Sequence, residues 1–156
     1  MPFARYYIKG QPAPELNAGP CLEAAVIVTC GSKILLEHRI DTFQWGVLSG
    51  VLEQTESFRN CAVRTLTDAG LRMKGAQLKE IGLFDDPHRI ASMLDGSVFR
   101  IITDAFSITF ESEEKTLPGS SGLHHRWVDI KDLSQYRIIP IHKEIIDRLL
   151  NTQNTK

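Results

Sequence analysis

The sequence predicts one mixed α/β domain, a sheet flanked by two helices. Three observations predict it. Apolar β-rich runs fill the stretches from Leu22 to Arg39 and from Ala76 to Phe110. Two other stretches, starting at Phe58 and at Pro140, carry apolar residues at helical spacing. Their order is strands, helix, strands, helix, with no repeat, low-complexity run or linker between them.

The bulk properties agree. A chain of 156 residues with 42% hydrophobic and 24% charged positions suits one domain with a core of its own, and two would be cramped. A formal charge of -1, from 18 basic and 19 acidic residues, supplies no field to gather nucleic acid or an anionic membrane, so neither is an expected partner. Cys21, Cys30 and Cys61 are odd in number, lack CxxC spacing and lie in or beside apolar runs. They read as buried, reduced thiols rather than a disulfide framework or zinc site. No segment has the apolar length of a signal peptide or a membrane span, and a cytoplasmic location is expected.

Each element has its own signal. Residues 1–20, rich in proline and carrying Tyr6 and Tyr7, read as an N-terminal arm; its tyrosines suit packing on the sheet or on a dimer mate, or stacking on a nucleobase. Ala24–Cys30 and Lys33–Glu37 are two strands joined at Gly31-Ser32, a hairpin signal, and the continuous apolarity implies that one strand is covered on both faces. Phe43–Gly50 is a brief aromatic, glycine-bounded strand entering a tight loop that extends to about Ser57. From Phe58 onward Cys61, Ala62, Thr65, Leu66 and Ala69 form an apolar helix face that Gly70 ends, with Thr55 or Ser57 as cap. Ala76–Phe84 and Ser97–Phe110 are strands, with Asp85–Gly96 as their connection and Glu111–Gly122 as a polar loop. His125–Ile130 is a last short strand. Pro140 at a first helical position, then Ile141, Ile145, Ile146, Leu149 and Leu150, mark a C-terminal helix. The domain is expected over 21–151, with 152–156 a frayed tail.

The segment Trp45-Gly46-Val47-Leu48-Ser49-Gly50-Val51-Leu52-Glu53-Gln54-Thr55-Glu56-Ser57, with the helix through Arg64 to Leu71, resembles the Nudix box. That pattern is a glycine, five free positions, a glutamate, seven free positions, then Arg-Glu-apolar-free-Glu-Glu-free-Gly-apolar. Gly50, Glu56 and Arg64 match with both spacings intact, and Glu53 matches an acid that the family often carries. Arg126-Trp127-Val128-Asp129-Ile130-Lys131-Asp132-Leu133 looks like the family's closing segment, so the resemblance spans about Leu22 to Leu150. It implies a Nudix-type α/β/α sandwich, with a mixed curved sheet between the box helix and the C-terminal helix.

The departures fall on the metal ligands. Thr65 stands where the family has glutamate, Asp68-Ala69 where it has Glu-Glu, and Gly70 arrives one residue early. A deletion inside the helix would rotate every later residue by about 100° and spoil the apolar face, so the missing residue belongs at the helix end. Of three helical carboxylates only Asp68 remains. Ser49 and Thr55 also replace glycines of the pattern.

Pyrophosphate hydrolysis uses Mg²⁺ or Mn²⁺ to neutralise phosphate oxygens and acidify a water. By the resemblance, Asp68 and Glu56 are the metal ligands, Glu53, Glu56, Arg64 and Asp68 the catalytic set, with Arg64 holding Glu56 by a charge-assisted hydrogen bond. Glu111, Glu113 and Glu114 stand in the late loop from which the family draws a further acid, whereas Gly119-Ser120-Ser121-Gly122 carries none. Trp45, Gly50, Phe84 and Arg89 are substrate-binding candidates. Trp45 fits the core as well as a base-stacking platform, and Asp86-Pro87-His88-Arg89 resembles a turn of nucleotide-sugar-cleaving relatives but equally an ordinary turn. His124-His125 point to opposite faces of a strand and read as structural.

The implied function is a weakly active, metal-dependent hydrolase of a nucleoside diphosphate linked to another moiety, ADP-ribose-like or a nucleoside triphosphate. The alternative is a catalytically inactive domain that binds a nucleotide or nucleotide sugar as a sensor. A nucleotide-like small molecule is the expected partner in both, and a homodimer is suggested by the resemblance alone.

Overall fold

Ala24, Ala25, Val26, Ile27 and Val28 are all wholly buried, as an uninterrupted apolar strand must be when layers cover both its faces. The computed structural model describes residues 3–117 and 122–154 and places this strand, β2 (Cys21–Cys30), at the centre of a mixed sheet. Before it comes β1 (Ala4–Tyr7); after it come β3 (Lys33–Arg39), β4 (Trp45–Gly46), β5 (Leu48–Val51), α1 (Phe58–Asp68), β6 (Lys79–Phe84), β7 (Ile90–Met93), β8 (Val98–Thr109), β9 (Gly122–Asp129) and α2 (Pro140–Asn154). A 3-10 turn, Ile130–Gln135, precedes α2.

β2 runs parallel to β8 from Cys21↔Ile101 to Thr29↔Thr109. It is antiparallel to β3 across the expected turn, with Cys30 opposite Lys33, and to β5 further down, with Glu23 opposite Val51. β9 and β4 extend the sheet from β3. On the other side β8 pairs with β6, through a bulge between Glu80 and Gly82, and with β7.

The side chains of β2 alternate between two cores. Ala24, Val26 and Val28 meet Cys61, Ala62, Leu66 and Ala69 of the α1 layer, while Ala25 and Ile27 meet Ile145 and Ile146 of α2. The sheet therefore lies between the two helices, as expected. Ser57 caps α1 by accepting from the Asn60 amide at 3.0 Å. The helix ends at Gly70 (φ 77°), and the Leu71 amide returns to the Leu66 carbonyl at 2.9 Å.

Several boundaries differ from expectation. The arm contains β1, which pairs antiparallel with β7, so the presumed connection Asp85–Gly96 contains a strand as well. These two strands lack the apolar run that marks β2: Arg5 and Ser92 face each other in the register. β9 begins at Gly122 rather than at His125, and α2 continues to Asn154, past the expected boundary at residue 151. Of the proposed tail, 155–156 lie outside the described residues, as do Met1 and Pro2 of the arm.

Candidate ligand-binding cleft

Gly50 sets how closely α1 approaches the sheet. A Cβ added there would lie 2.6 Å from Thr65 Oγ1, so the strand–helix contact requires a glycine although its φ is ordinary. Its carbonyl accepts from Cys61 Sγ at 3.3 Å, which ties β5 to the first turns of α1. Along this seam opens a cleft of about 700 Å³, lined by Ser49, Gly50, Arg64, Thr65, Asp68 and Ala69 on the box side. Its opposite wall comes from β1, the start of β2, β3, β7 and β8.

Arg64 gathers the expected acids. Its Nε and Nη2 donate to the two carboxylate oxygens of Glu56 at 2.8 and 2.9 Å, and Nη2 also donates to the Val51 carbonyl at 2.9 Å. Glu53 lies 3.8 Å from Nε and Asp68 3.7 Å from Nη1. The Glu53 amide donates to Glu56 Oε1 at 3.0 Å. These hydrogen bonds, Arg64's foremost, hold the Glu56 carboxyl down to about 2. Glu56 thus braces the loop, with Oε1 accepting from Arg64 and the Glu53 amide and Oε2 from Arg64.

The Thr65 hydroxyl donates to the Cys61 carbonyl at 2.8 Å, and Ala69 offers only a buried methyl. Asp68 is 64% exposed and Glu53 69%, so each stands in solvent at the rim. Glu113 pairs with Lys33 and Glu114 with Lys74, both by surface contacts, and the cleft lining includes none of the late-loop acids. Gly119–Ser121, the end of that loop, lie outside the described residues. Among the described residues no group of three or more His, Cys, Asp or Glu side chains could hold a metal ion. Mg²⁺ is commonly held by one or two carboxylates together with substrate phosphates, and of the expected ligands Asp68 lines the cleft with its carboxylate open to solvent.

Three of the substrate-binding candidates lie elsewhere. Trp45 packs in an aromatic cluster with His38, His124 and Tyr136, ring centroids 4.8 to 5.3 Å away, and Arg126 sits over it. Phe84 belongs to the core on the α2 side. Arg89 is 1% exposed: it donates to Thr103 Oγ1 at 2.6 Å, to the Ile101 and Ile141 carbonyls at 3.3 and 3.1 Å, and to Glu144. With those partners its guanidinium ties the start of β7 to β8 and α2, and Arg89 is not among the residues lining the cleft. Only Gly50 of the four lines it.

The cleft also holds charges that the motif did not indicate. Arg39 donates to both oxygens of Asp41 at 3.0 and 2.8 Å and to the Tyr6 hydroxyl at 3.1 Å, and Tyr6 donates to Asp41 at 2.7 Å. Glu37 is bonded to His125 Nε2 at 2.9 Å, with Thr116 at 2.8 Å on the other ring nitrogen. Glu23 is buried beside His142 and Thr103. Burial alone would raise the Glu23 carboxyl, but the bonds from His142 and Thr103 hold it below its ordinary value. Cys21 nearby is pushed up to about 11 by burial, so it stays a neutral thiol. A lone acid beside or within an apolar strand was the available signal for Glu23 and Glu37. For His142 it was a histidine on the apolar stripe with Ile145, Ile146 and Leu149.

No protein-family model and no curated protein matches the sequence. Solved structures do match the fold. One is a bifunctional NMN adenylyltransferase/ADP ribose pyrophosphatase from Francisella tularensis, with TM-score 0.69 and 19% identity over 89% of this chain. Another is the Nudix domain of Shewanella oneidensis NrtR complexed with ADP ribose, with TM-score 0.70 and 15% identity over 88% of this chain and 90% of that one. This chain has the Nudix fold. A third match is the E. coli dihydroneopterin triphosphate pyrophosphohydrolase, at TM-score 0.64 and 15% identity over 81% of this chain and 92% of its own. The chain spans 42% of the length of the Francisella protein, which has also been seen with AMP and a manganese ion. The loop whose residues resemble the Nudix box leads into α1, and the cleft lies where that loop meets the sheet. No helix among the described residues is long and apolar enough to cross a membrane.

Proposed function

We propose that this Nudix-fold chain binds a nucleotide-like ligand in the cleft without hydrolysing it, as a sensor or partner-binding module. One observation supports the reading: the loop that resembles the Nudix box is braced on α1 by the Arg64–Glu56 pair, while Thr65 and Ala69 stand where the resemblance would put carboxylates. A cradle is enough for binding, whereas turnover of a pyrophosphate needs charge neutralisation and an activated water. ADP ribose in the Shewanella domain and AMP in the Francisella protein support the ligand class.

The cleft's charges shape what it binds. Arg39 and Arg64 are its cations, each oriented by a carboxylate, and Glu23, Glu37, Asp41 and Asp68 outnumber them. Bare phosphate gains little there, and selection moves to the rest of the ligand.

Calorimetric titration of ADP-ribose and nucleoside diphosphates, with and without Mg²⁺ or Mn²⁺, tests the reading on wild type and Asp68→Ala. The expected result is binding indifferent to metal and to the substitution, with no product released. Metal-dependent release of nucleoside monophosphate that disappears in Asp68→Ala would overturn it in favour of a minimal hydrolase, with Asp68, Glu53 and Glu56 at the ion.

A further inference from the structure

The wall of the cleft opposite the box differs in character from the box side. Register pairs place Cys21 beside Ile101, and Phe99 beside Ala91 of β7. Half-buried Cys21, Met93 and Phe99 line the cleft there beside the buried Ile101, an apolar wall of the kind on which a ring can rest. The polar group set among them is Glu23, also in the lining, with its side chain 10% exposed.

Its chemistry is fixed from behind. The Val47 amide donates to His142 Nδ1 at 3.1 Å, so that nitrogen is an acceptor and the ring proton sits on Nε2. His142 Nε2 therefore donates to Glu23 Oε1, at 3.3 Å. Thr103 Oγ1 accepts from Arg89 at 2.6 Å, which orients its own hydrogen toward the same Oε1 at 2.8 Å. Both lone pairs of Oε1 are used by these two donors. Among the described residues no side chain or amide donates to Oε2, which belongs to a carboxylate that accepts hydrogen bonds and offers none.

We infer that Glu23 is the specificity-determining residue of the cleft and selects a ring with two adjacent N–H donors, the amino–oxo edge shared by guanine and pterin, over adenine. Guanine places N1–H next to its exocyclic amine, so two donors converge on one acceptor. Adenine pairs its amine with a ring nitrogen lone pair, which loses one charge-assisted bond and sets a lone pair against the carboxylate. This rests on the proposed binding of a nucleotide-like ligand and names its ring.

The test is metal-free calorimetry with GDP, ADP and neopterin on wild type, Glu23→Gln and Phe99→Ala. GDP should bind at least about tenfold more tightly than ADP, the fold-change of one charge-assisted hydrogen bond. In Glu23→Gln the amide carbonyl retains the bonds from His142 and Thr103 and turns an N–H₂ donor to the ring, so the preference should vanish or reverse with the melting temperature little changed. Phe99→Ala should weaken GDP and ADP alike and leave their ratio intact. Neopterin tighter than GDP would assign the edge to a pteridine, and the reverse order to a purine; either supports the inference. Equal wild-type affinity for GDP and ADP, or a preference that survives in Glu23→Gln, would overturn it while leaving nucleotide binding standing. No binding of any of the three would instead refute the binding reading itself. Should Glu23→Gln not fold, the wild-type ratio still decides.

Discussion

Thr55 sits in the box loop at φ 67°, a left-handed conformation that a β-branched residue rarely adopts. Clash of its Cβ with the following carbonyl costs about 1–2 kcal/mol in this region. Replacing it with glycine removes that strain but adds about 0.5–1 kcal/mol of backbone freedom to the unfolded chain. The Thr55 hydroxyl bonds only to the neighbouring Gln54 carbonyl, at 2.5 Å and in solvent, so its loss costs little. The net expectation for Thr55→Gly is a gain of roughly 0.5–1 kcal/mol, about 1–4 °C in melting temperature for a domain of this size. Thr55→Asn, which tolerates the same backbone with less freedom when unfolded, should gain as much or more. Urea and thermal unfolding monitored by circular dichroism would measure both. A drop in stability for both variants would refute the strain argument and make the hydroxyl itself a structural element of the loop.

Gly50→Ala should destabilise by about 1–3 kcal/mol through overpacking on Thr65. Adding Thr65→Ala should restore much of that, since the next atom, Cys61 Sγ, lies at an ordinary 3.6 Å; a double-mutant cycle with no coupling would dismiss the contact. Asp104, buried on β8 with Oδ1 unpartnered, has its carboxyl raised to about 7 by burial and then by Glu80. A folded-state value above the unfolded one means that the folded chain holds the extra proton, so stability should fall as pH rises from about 4 to 7. After allowance for solvent screening the loss is on the order of 1–2 kcal/mol. Asp104→Asn should flatten that slope, and an unchanged pH profile of urea unfolding would rule Asp104 out as its source.

The central strands and both helices were legible because each carries its own periodicity: the unbroken apolar run of β2 and the stripes at Cys61–Ala62–Leu66 and Ile141–Ile145–Leu149 need no tertiary information. The Arg64–Glu56 pairing was legible for the same local reason, since the loop and one helical turn fix it. β1 and β7 were not, because each is only four residues long, too short to show a periodicity of its own, and is defined by its pairing, β1 with β7 and β7 with β8. The far wall of the cleft was hidden likewise. Glu23, Thr103 and His142 come from three distant parts of the chain, and only the sheet register and α2 bring them together.

The β1–β7 clasp has a kinetic meaning. Its pairing of Ala4 with Met93 closes one of the long loops of the chain, and its residues contribute to a satellite core rather than to the two main clusters. A unit of that kind opens at lower free energy than the central sheet does. Tyr6 and Met93, which it carries, line the cleft, so opening the clasp dismantles the wall on which a ring would rest. Entry to and exit from that wall are thereby linked to local unfolding of two short strands, and a seated ligand would protect the amides of β1 and β7 from exchange far more than those of β2, which are held by the global fold.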